Sequence, residues 1–311
     1  MKTLVTGGAG FIGSHVCEAL LNKGYDVLCL DNLSTGDKKN IEHLLNDSKF
    51  KFIQHDVTKP IDLKADFIFH LASPASPINY QKLPIETSMA NSIGTYNMLQ
   101  LARMNKARFL LASTSEVYGD PIEHPQKETY WGNVNPFGVR SCYDESKRFA
   151  ETLTMSFHRK YNLDVRIARI FNTYGPRMRL DDGRVIPNFI VQALTNKPIT
   201  VYGDGKQTRS FCFISDMVDG LMKFMFIDGL SGEVINLGST DERKIIDIAK
   251  ILRELINSKS DIVFKPLPED DPTKRKPDII KAKKLLNWKT KIDFKIGLIK
   301  TIEWFRKELN K

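Results

Sequence analysis

Short runs of apolar, often β-branched residues alternate with segments of helical periodicity through the first 170 residues. The apolar runs predict strands, and the 3.6-residue periodicity predicts helices. Strands that are apolar throughout and separated by helices are typical of a parallel sheet with helices on both faces. The sequence therefore predicts an α/β fold with a doubly wound parallel sheet. The predicted strands are Lys2–Thr6, Tyr25–Leu30, Phe50–Gln54, Ala65–His70, Arg108–Ala112 and Val165–Ile170, and the predicted helices are Phe11–Asn22, Glu86–Asn105 and Tyr143–Tyr161.

After residue 170 this regular alternation ends in a stretch that is rich in Gly, Pro and Arg. Three prolines among charged residues predict an irregular loop over Lys265–Lys276, and an amphipathic helix is predicted over Leu298–Leu309. We predict two domains. Residues 1–172 form the sheet domain, to which part of 210–240 returns, and residues 173–311 mainly form a smaller α/β domain that shapes a substrate site.

The chain carries 46 lysines and arginines against 37 acidic residues, which gives a net charge of +9. Such a surplus occurs in proteins that bind nucleic acid, anionic membranes or acidic small molecules. Residues 255–311 alone carry +7, but acidic residues interrupt the basic ones throughout this stretch. That pattern is typical of a solvated, lysine-rich helical surface. We therefore predict neither a nucleic-acid site nor a membrane-binding site.

The four cysteines, Cys17, Cys29, Cys142 and Cys212, are scattered and form no CxxC pair. Neither a zinc site nor a disulfide framework is expected, and no metal is predicted. No segment has the roughly 18 uncharged apolar residues that a membrane-spanning helix needs. The glycine-rich N-terminal segment also lacks the continuous apolar core of a signal peptide. These features predict a protein of the cytoplasm.

The segment TGGAGFIG at residues 6–13 lies between the first predicted strand and the first predicted helix. Gly8, Gly10 and Gly13 fit the pattern G-x-G-x-x-G. Glycines permit the tight turn and let a pyrophosphate approach the backbone, and the last one allows close packing of helix and strand. Free N–H groups at the start of the helix then bind the phosphate. The segment predicts a dinucleotide site of the Rossmann type.

Asp31 ends the second predicted strand, about 20 residues after the glycines, where an acid accepts hydrogen bonds from the adenosine ribose. A carboxylate at this place repels a 2′-phosphate, so NAD is predicted rather than NADP. Two further segments follow predicted strands, namely His55-Asp56-Val57 and His70-Leu71-Ala72-Ser73. Both would lie in the ligand cleft at the carboxyl edge of the sheet.

Tyr143 and Lys147 are four residues apart on a predicted helix and therefore share one face. A lysine ammonium beside a phenol favours the phenolate and lowers a pKa that is ordinarily about 10. The phenolate can remove a proton from a hydroxyl group while hydride leaves for a nicotinamide. Thr114, at the end of the fifth strand, would hydrogen-bond the same oxygen. These residues predict an oxidation step on an alcohol or a sugar.

Five motifs together resemble the extended short-chain dehydrogenase/reductase family of nucleotide-sugar enzymes. They are HLAS at 70–73, STSEVYG at 113–119, YDESK at 143–147, RIFNTYGPR at 169–177 and VYGDGKQTRSF at 201–211. Within that family the chain is most similar to the UDP-glucuronate decarboxylases. The narrower signs are LASPASP at 71–77, Glu116, Arg140 and DDPTKRKPD at 270–278.

The resemblance implies an NAD-dependent carboxy-lyase that converts UDP-glucuronate to UDP-xylose and CO2. Tyr143, Thr114 and Lys147 would serve the oxidation at C4, and Glu116 and Arg275 would act near C5. It implies NAD contacts from Gly7, Gly10, Phe11, Ile12, Asp31, Asn32, Thr35, Gly36, Asp56, Val57, Leu71, Ser73, Ala112, Tyr143 and Lys147. It implies substrate contacts from Tyr80, Thr114, Ser115, Arg140, Asn172, Asn188, Gln207, Arg209 and Arg275. It also implies a homodimer formed through helices at about 86–105 and 143–160.

Other functions remain open at this point. A UDP-hexose 4-epimerase and an NDP-sugar 4,6-dehydratase would share the oxidation step. The dehydratases of the family carry an Asp-Glu pair after the threonine, whereas Ser115-Glu116 follows Thr114 here. A non-catalytic redox-sensing or RNA-binding protein is the alternative of a different class, although it would not need Thr114, Tyr143 and Lys147.

For Arg177, Arg179 and Arg184 we predict a role in stabilising their loop or a subunit contact.

Overall fold

The computed structural model describes residues 1–310, which form fourteen strands and ten α-helices. The strands are β1 (Lys2–Thr6), β2 (Asp26–Asp31), β3 (Phe50–Gln54), β4 (Phe67–His70), β5 (Arg108–Thr114), β6 (Val165–Ile170), β7 (Thr173–Tyr174), β8 (Ile199–Tyr202), β9 (Thr208–Ser210), β10 (Cys212–Phe213), β11 (Glu233–Leu237), β12 (Glu242–Lys244), β13 (Ile262–Lys265) and β14 (Lys274–Arg275). The helices are α1 (Phe11–Asn22), α2 (Pro77–Lys82), α3 (Pro84–Met89), α4 (Thr95–Asn105), α5 (Ser141–Tyr161), α6 (Val185–Leu194), α7 (Ile214–Phe226), α8 (Ile245–Ile256), α9 (Ile280–Leu286) and α10 (Phe294–Leu309).

Seven parallel strands form the central sheet, in the order β3-β2-β1-β4-β5-β6-β11. The apolar side chains of α1 and α7 cover one face, and α4 and α5 cover the other. Both faces are therefore buried, which explains why the strands are apolar throughout rather than alternating. The prediction of a doubly wound parallel sheet is confirmed. The sheet receives its last strand, β11, from residues 233–237.

The smaller layer of the molecule is built from short sheets and helices of the second half. β8 pairs with β13 in parallel, and β9 lies between antiparallel β12 and parallel β14. Helices α6, α8 and α10 pack against one another beside these strands. The layer places β14 opposite the carboxyl end of β5, where the Arg275 guanidinium donates to the Ser115 carbonyl oxygen.

Two segments differ from the sequence-based expectation. The predicted loop Lys265–Lys276 is irregular only in its middle, because β13 extends to Lys265 and Lys274–Arg275 pairs with β9. Prolines argue against a strand locally, but the partner strand is distant in sequence and is not visible from local composition. The predicted helix 86–105 contains a π-helical turn, Ala90–Gly94, between α3 and α4.

In the part of the chain that the structure describes, no helix combines the length and the apolar character that crossing a bilayer requires. All four cysteines are free thiols, and three of them are buried.

Candidate active site

A deep cavity of about 800 Å³ opens at the carboxyl ends of the parallel strands. Its walls come from the sheet edge, from α2 and α3, and from the smaller layer of the molecule. Ligands of doubly wound sheets bind at this edge because the chain reverses direction there and leaves a crevice. Every residue predicted above to contact NAD or the substrate lines this cavity, except Arg275.

The glycine-rich turn forms one end of the cavity. Gly7 has φ +69°, and a Cβ there would lie 2.8 Å from the backbone nitrogen of Ala72. A Cβ on Gly13 would overlap the carbonyl oxygen of Gly7. Helix α1 begins directly after Gly10, and no side chain caps its first N–H groups. The turn therefore leaves an open helix N-terminus that suits a phosphate group.

Asp31 lies beside this turn, almost completely buried at the end of β2. Its two carboxylate oxygens accept hydrogen bonds from the backbone N–H groups of Ala9 (3.0 Å) and Leu33 (2.8 Å). Burial raises the pKa of Asp31, although both hydrogen bonds act in the opposite direction. Each oxygen keeps a lone pair for a ribose hydroxyl. The open helix end and this carboxylate together fit a dinucleotide.

Thr114, Tyr143 and Lys147 meet at the middle of the cavity, where β5 ends and α5 begins. Each of them is less than 10% exposed, and Tyr143 hydrogen-bonds Thr114. The Lys147 Nζ donates to the Ala112 carbonyl oxygen at 2.9 Å and lies 5.8 Å from the centre of the Tyr143 ring. Tyr80 stacks on Tyr143, with ring centres 5.1 Å apart and planes inclined by 6°. The end of β5 and the start of α5 thus hold the phenol in one orientation.

We expected Lys147 to lower the pKa of Tyr143. In the structure the pKa of Tyr143 is instead raised above its ordinary value, chiefly because the phenol is buried. The hydrogen bond with Thr114 opposes this shift, and the nearby Glu116 carboxylate adds to it. Burial also lowers the pKa of Lys147 to about 8. The expectation was therefore wrong for the protein alone, since desolvation is a tertiary effect that the spacing of two residues does not show.

Glu116 follows Thr114 by two residues, in a 3-10 turn over Ser115–Tyr118. Its Oε2 lies 2.6 Å from Arg140 Nη2 and 3.3 Å from Arg275 Nη2. Burial acts to raise the pKa of Glu116, but these guanidinium groups outweigh it and bring the pKa down to about 2. Glu116 is therefore a carboxylate at neutral pH, fixed in the cavity wall by two arginines.

Arg275 lies behind Glu116 rather than in the cavity wall, with 1% of its side chain exposed. Its guanidinium donates to the carbonyl oxygens of Ser115 and Gly119 as well as to Glu116. We predicted a direct substrate contact for Arg275. The structure places it where it positions Glu116, because β14 pairs with β9 and points this side chain into the turn after β5.

Arg209 does line the cavity, but its guanidinium also holds the loop before β14. It donates to the carbonyl oxygens of Thr208, Pro272 and Thr273 and lies 3.1 Å from an Asp271 carboxylate oxygen. Arg209, a predicted substrate contact, is thus also a residue that fixes the local backbone.

The sequence did not indicate a site role for two acidic residues and one arginine of the cavity wall. Asp271 lies 3.4 Å from Arg140 and 3.1 Å from Arg209. Arg184 forms a two-point ion pair with the buried Asp182, at 2.5 and 2.7 Å. That pair agrees with a loop-stabilising role for Arg184. The positive charge of Arg184 also opposes the rise of the Tyr143 pKa. Asp182 and Arg184 lie in none of the motifs quoted above, and Asp271 lies in DDPTKRKPD, whose spacing does not reveal its role.

Comparison with known proteins identifies the family. The family model described as GDP-mannose 4,6 dehydratase matches residues 4–301. UDP-glucuronic acid decarboxylase 4 of Arabidopsis thaliana is 56% identical over 309 residues, which cover 99% of this chain and 69% of that protein. This chain belongs to the extended short-chain dehydrogenase/reductase family, in its UDP-glucuronic acid decarboxylase branch. The corresponding enzyme 1 of Xenopus tropicalis is 51% identical over 99% of this chain and 73% of its own.

Related enzymes of known structure have the same fold as this chain. The UDP-glucuronic acid 4-epimerase of Bacillus cereus, in complex with UDP-glucuronic acid and NAD, gives a TM-score of 0.91 at 31% identity, covering 99% of this chain and all of that one. DesIV of Streptomyces venezuelae, a dTDP-glucose 4,6-dehydratase with NAD bound, gives 0.92 at 28% identity over 100% and 98%. The predicted fold and family are confirmed. Epimerases and dehydratases share this fold, so the fold does not decide between the reactions.

Proposed function

We propose that this protein is an NAD-dependent UDP-glucuronate decarboxylase, a carboxy-lyase that forms UDP-xylose and CO2. One observation of the site carries the proposal. A carboxylate, Glu116, is fixed by Arg140 and Arg275 in the wall of the same cavity as Thr114 and Tyr143. Four relatives of 50–56% identity support it, since each is named a UDP-glucuronic acid decarboxylase.

The residues of the glycine-rich turn and Asp31 would hold NAD along the carboxyl edge of the sheet. Bound NAD would supply a hydride acceptor for C4 of the sugar, return the hydride later, and favour the Tyr143 phenolate through its positive ring. The protein's part in this step is to place a base. Tyr143 would take the proton of the C4 hydroxyl, while Thr114 hydrogen-bonds the same oxygen and Lys147 stabilises the phenolate.

The second step, the loss of CO2, would take place beside Glu116. A ketone at C4 lies β to the C5 carboxylate, so loss of CO2 leaves an enolate that the ketone oxygen stabilises. Glu116, ionised in the free protein, would face this centre, where its negative charge would favour the departure of CO2 from the neighbouring carboxylate and help to direct protonation at C5. Arg275 would act through Glu116 by holding its carboxylate in place.

The substrate carries a diphosphate and a carboxylate, and cavity cations match these charges. Arg140 and Arg209 would bind anionic groups, because a guanidinium donates two parallel hydrogen bonds to a phosphate or a carboxylate. In the protein alone Asp271 lies against both arginines. Tyr80, Ser115, Asn172, Asn188 and Gln207 would supply the remaining polar contacts from the cavity wall.

Incubation of the purified protein with NAD and UDP-glucuronate, followed by product analysis, tests this proposal. We expect UDP-xylose as the product. UDP-galacturonate formed without a pentose would instead indicate a 4-epimerase, the activity named for the B. cereus structure. UDP-glucose serves as the control, because it lacks a C5 carboxylate and should give no product.

Asp31→Asn should weaken NAD binding by about tenfold, because a charge-assisted hydrogen bond to the ribose is lost. NADP should bind better to this variant than to the wild type, since the repulsion of a 2′-phosphate is removed. Calorimetric titration with each cofactor measures both changes. An unchanged ratio of NAD to NADP affinity would show that Asp31 does not set the cofactor preference.

The protein is also proposed to be a homodimer. The exposed faces of α3, the π-helical turn Ala90–Gly94, α4 and α5 carry large apolar side chains, among them Ile85, Ile93, Tyr96 and Phe149, which are 39–72% exposed. Since α4 and α5 pack side by side, their exposed faces form one surface. A second copy would bury it in a four-helix arrangement, as the family resemblance implies.

Ile93→Glu should convert the dimer to a monomer, because a carboxylate cannot be buried unpaired in an apolar interface. Sedimentation velocity measures the change. Ile280→Glu is the matched control, since Ile280 is 68% exposed on α9, away from this surface, and should leave the dimer intact. A monomeric wild type at micromolar concentration would refute the dimer.

For the compartment we propose the reducing cytoplasm, because all four cysteines are free thiols.

A further inference from the structure

Asp144 is a buried carboxyl group that the proposed reaction does not use. It follows Tyr143 in the first turn of α5, and 6% of the residue is exposed. One of its oxygens, Oδ1, is buried and has no hydrogen-bond partner among the described residues. The other, Oδ2, lies 3.9 Å from Arg140 Nε, which is a long ion pair. Few contacts would therefore stabilise a negative charge on the buried Asp144.

Arg140 cannot neutralise all the acids around it equally. Its Nη2 lies 2.6 Å from Glu116, and its Nη1 lies 3.4 Å from Asp271. Asp144 is the most distant of the three carboxyl groups that share this guanidinium. When several buried carboxyl groups compete for one cation, the group with the weakest contact takes a proton. Geometry thus singles out Asp144 as the neutral member of the cluster.

We propose that Asp144 is a positioning residue that acts in its protonated form, leaving Arg140 free to hold Glu116 for an anionic sugar. The inference rests on the proposed function for its effect on turnover, but not for the protonation itself. An ionised Asp144 would compete with Glu116 for Arg140. It would also add a negative charge beside a cavity that receives a carboxylate and a diphosphate.

The charged and titratable groups around Asp144 come from five segments. Helix α5 contributes Cys142, Tyr143 and Glu145, and Arg140 lies just before this helix. The 3-10 turn contributes Glu116, α2 contributes Tyr80 and β14 contributes Arg275. Burial and then Glu116 raise the pKa of Asp144 to about 8, while Arg140 and Arg275 oppose this shift. The direction agrees with the geometric argument.

Asp144→Asn supplies a permanently neutral side chain of the same shape. We expect the ratio of its kcat/KM to that of the wild type to be constant below pH 7. Between pH 8 and pH 9 the ratio should rise by about fivefold, because only the wild type acquires the extra charge. Both enzymes contain Lys147 and Tyr143, so the titration of these two groups cancels in the ratio of the two kcat/KM values.

Glu254→Gln is the matched control. Glu254 is exposed in the last turn of α8 and lines no part of the cavity. Its ratio to the wild type should stay flat from pH 6 to pH 9. A flat profile for Asp144→Asn, or a loss of more than a hundredfold at every pH, would overturn the proposal, since the second result would mean that the carboxylate is the working form.

An infrared titration of the wild type decides the protonation without any turnover. A carboxylic acid band should persist at neutral pH and disappear with a midpoint near 8, and it should be missing from Asp144→Asn. If no such band exists, the proposal fails even where UDP-glucuronate is decarboxylated. If the band exists and UDP-glucuronate is not decarboxylated, the proposed function fails while the protonation of Asp144 stands.

Discussion

Tyr143→Phe should reduce turnover of UDP-glucuronate by at least about a thousandfold, because the variant has no group to take the proton of the C4 hydroxyl. Thr114 alone is too weak an acid–base group to replace it. The stack of Tyr80 on the ring should persist, since it needs no hydroxyl. NAD and substrate affinities should therefore change by less than threefold. Steady-state kinetics together with calorimetry separate these two effects.

Tyr161→Phe serves as the control for this substitution. Tyr161 is the last residue of the same helix and is 39% exposed, so its variant should turn over like the wild type. Tyr143→Phe with more than a tenth of wild-type activity would remove the phenol from the mechanism.

Glu116→Gln should lower the rate of CO2 release by at least about a hundredfold while leaving the oxidation at C4 measurable. The reason is that the amide keeps the shape but loses the charge held between Arg140 and Arg275. A single-turnover experiment distinguishes the two steps, since the absorbance of reduced nicotinamide should rise while labelled CO2 does not appear. Equal rates of CO2 release in variant and wild type would exclude Glu116 from the second step.

The same substitution should also destabilise the fold, by about 3 kcal/mol at pH 7, because two buried arginines lose their shared anion. The pKa of Glu116 is lowered to about 2 from an ordinary 4.5. Its contribution is therefore complete above pH 4.5 and is lost as the pH falls through about 2. Urea unfolding at pH 7 and pH 3 measures this difference, and Glu145→Gln should show neither effect.

The sequence was sufficient for the features that depend on local pattern. The apolar runs located each strand of the central sheet up to β6 within two residues, because parallel strands buried on both faces are apolar throughout. The glycine spacing and the four-residue interval from Tyr143 to Lys147 placed both groups at the carboxyl edge of the sheet. Strand and helix periodicity was thus enough to predict that these cavity residues lie at one edge of the sheet.

Features that depend on distant pairing could not be predicted in this way. Arg275 was expected to touch the substrate, but β14 pairs with β9 and directs its side chain behind Glu116. The pKa of Tyr143 was expected to fall, but burial by Tyr80 and the surrounding strands raises it. No role was predicted for Asp271 and Asp144, although both lie in motifs that carry the family resemblance, because their role comes from sharing Arg140, which lies beside them only in the folded chain.

The most direct test of the proposed reaction is the stoichiometry of carbon-labelled CO2 and UDP-xylose with UDP-glucuronate in large excess over NAD. Because NAD is regenerated within each cycle, we expect one CO2 for each UDP-xylose and many turnovers for each NAD. Absence of labelled CO2 from an enzyme that binds both ligands, with conversion of UDP-glucuronate to its 4-epimer, would contradict the proposed decarboxylation.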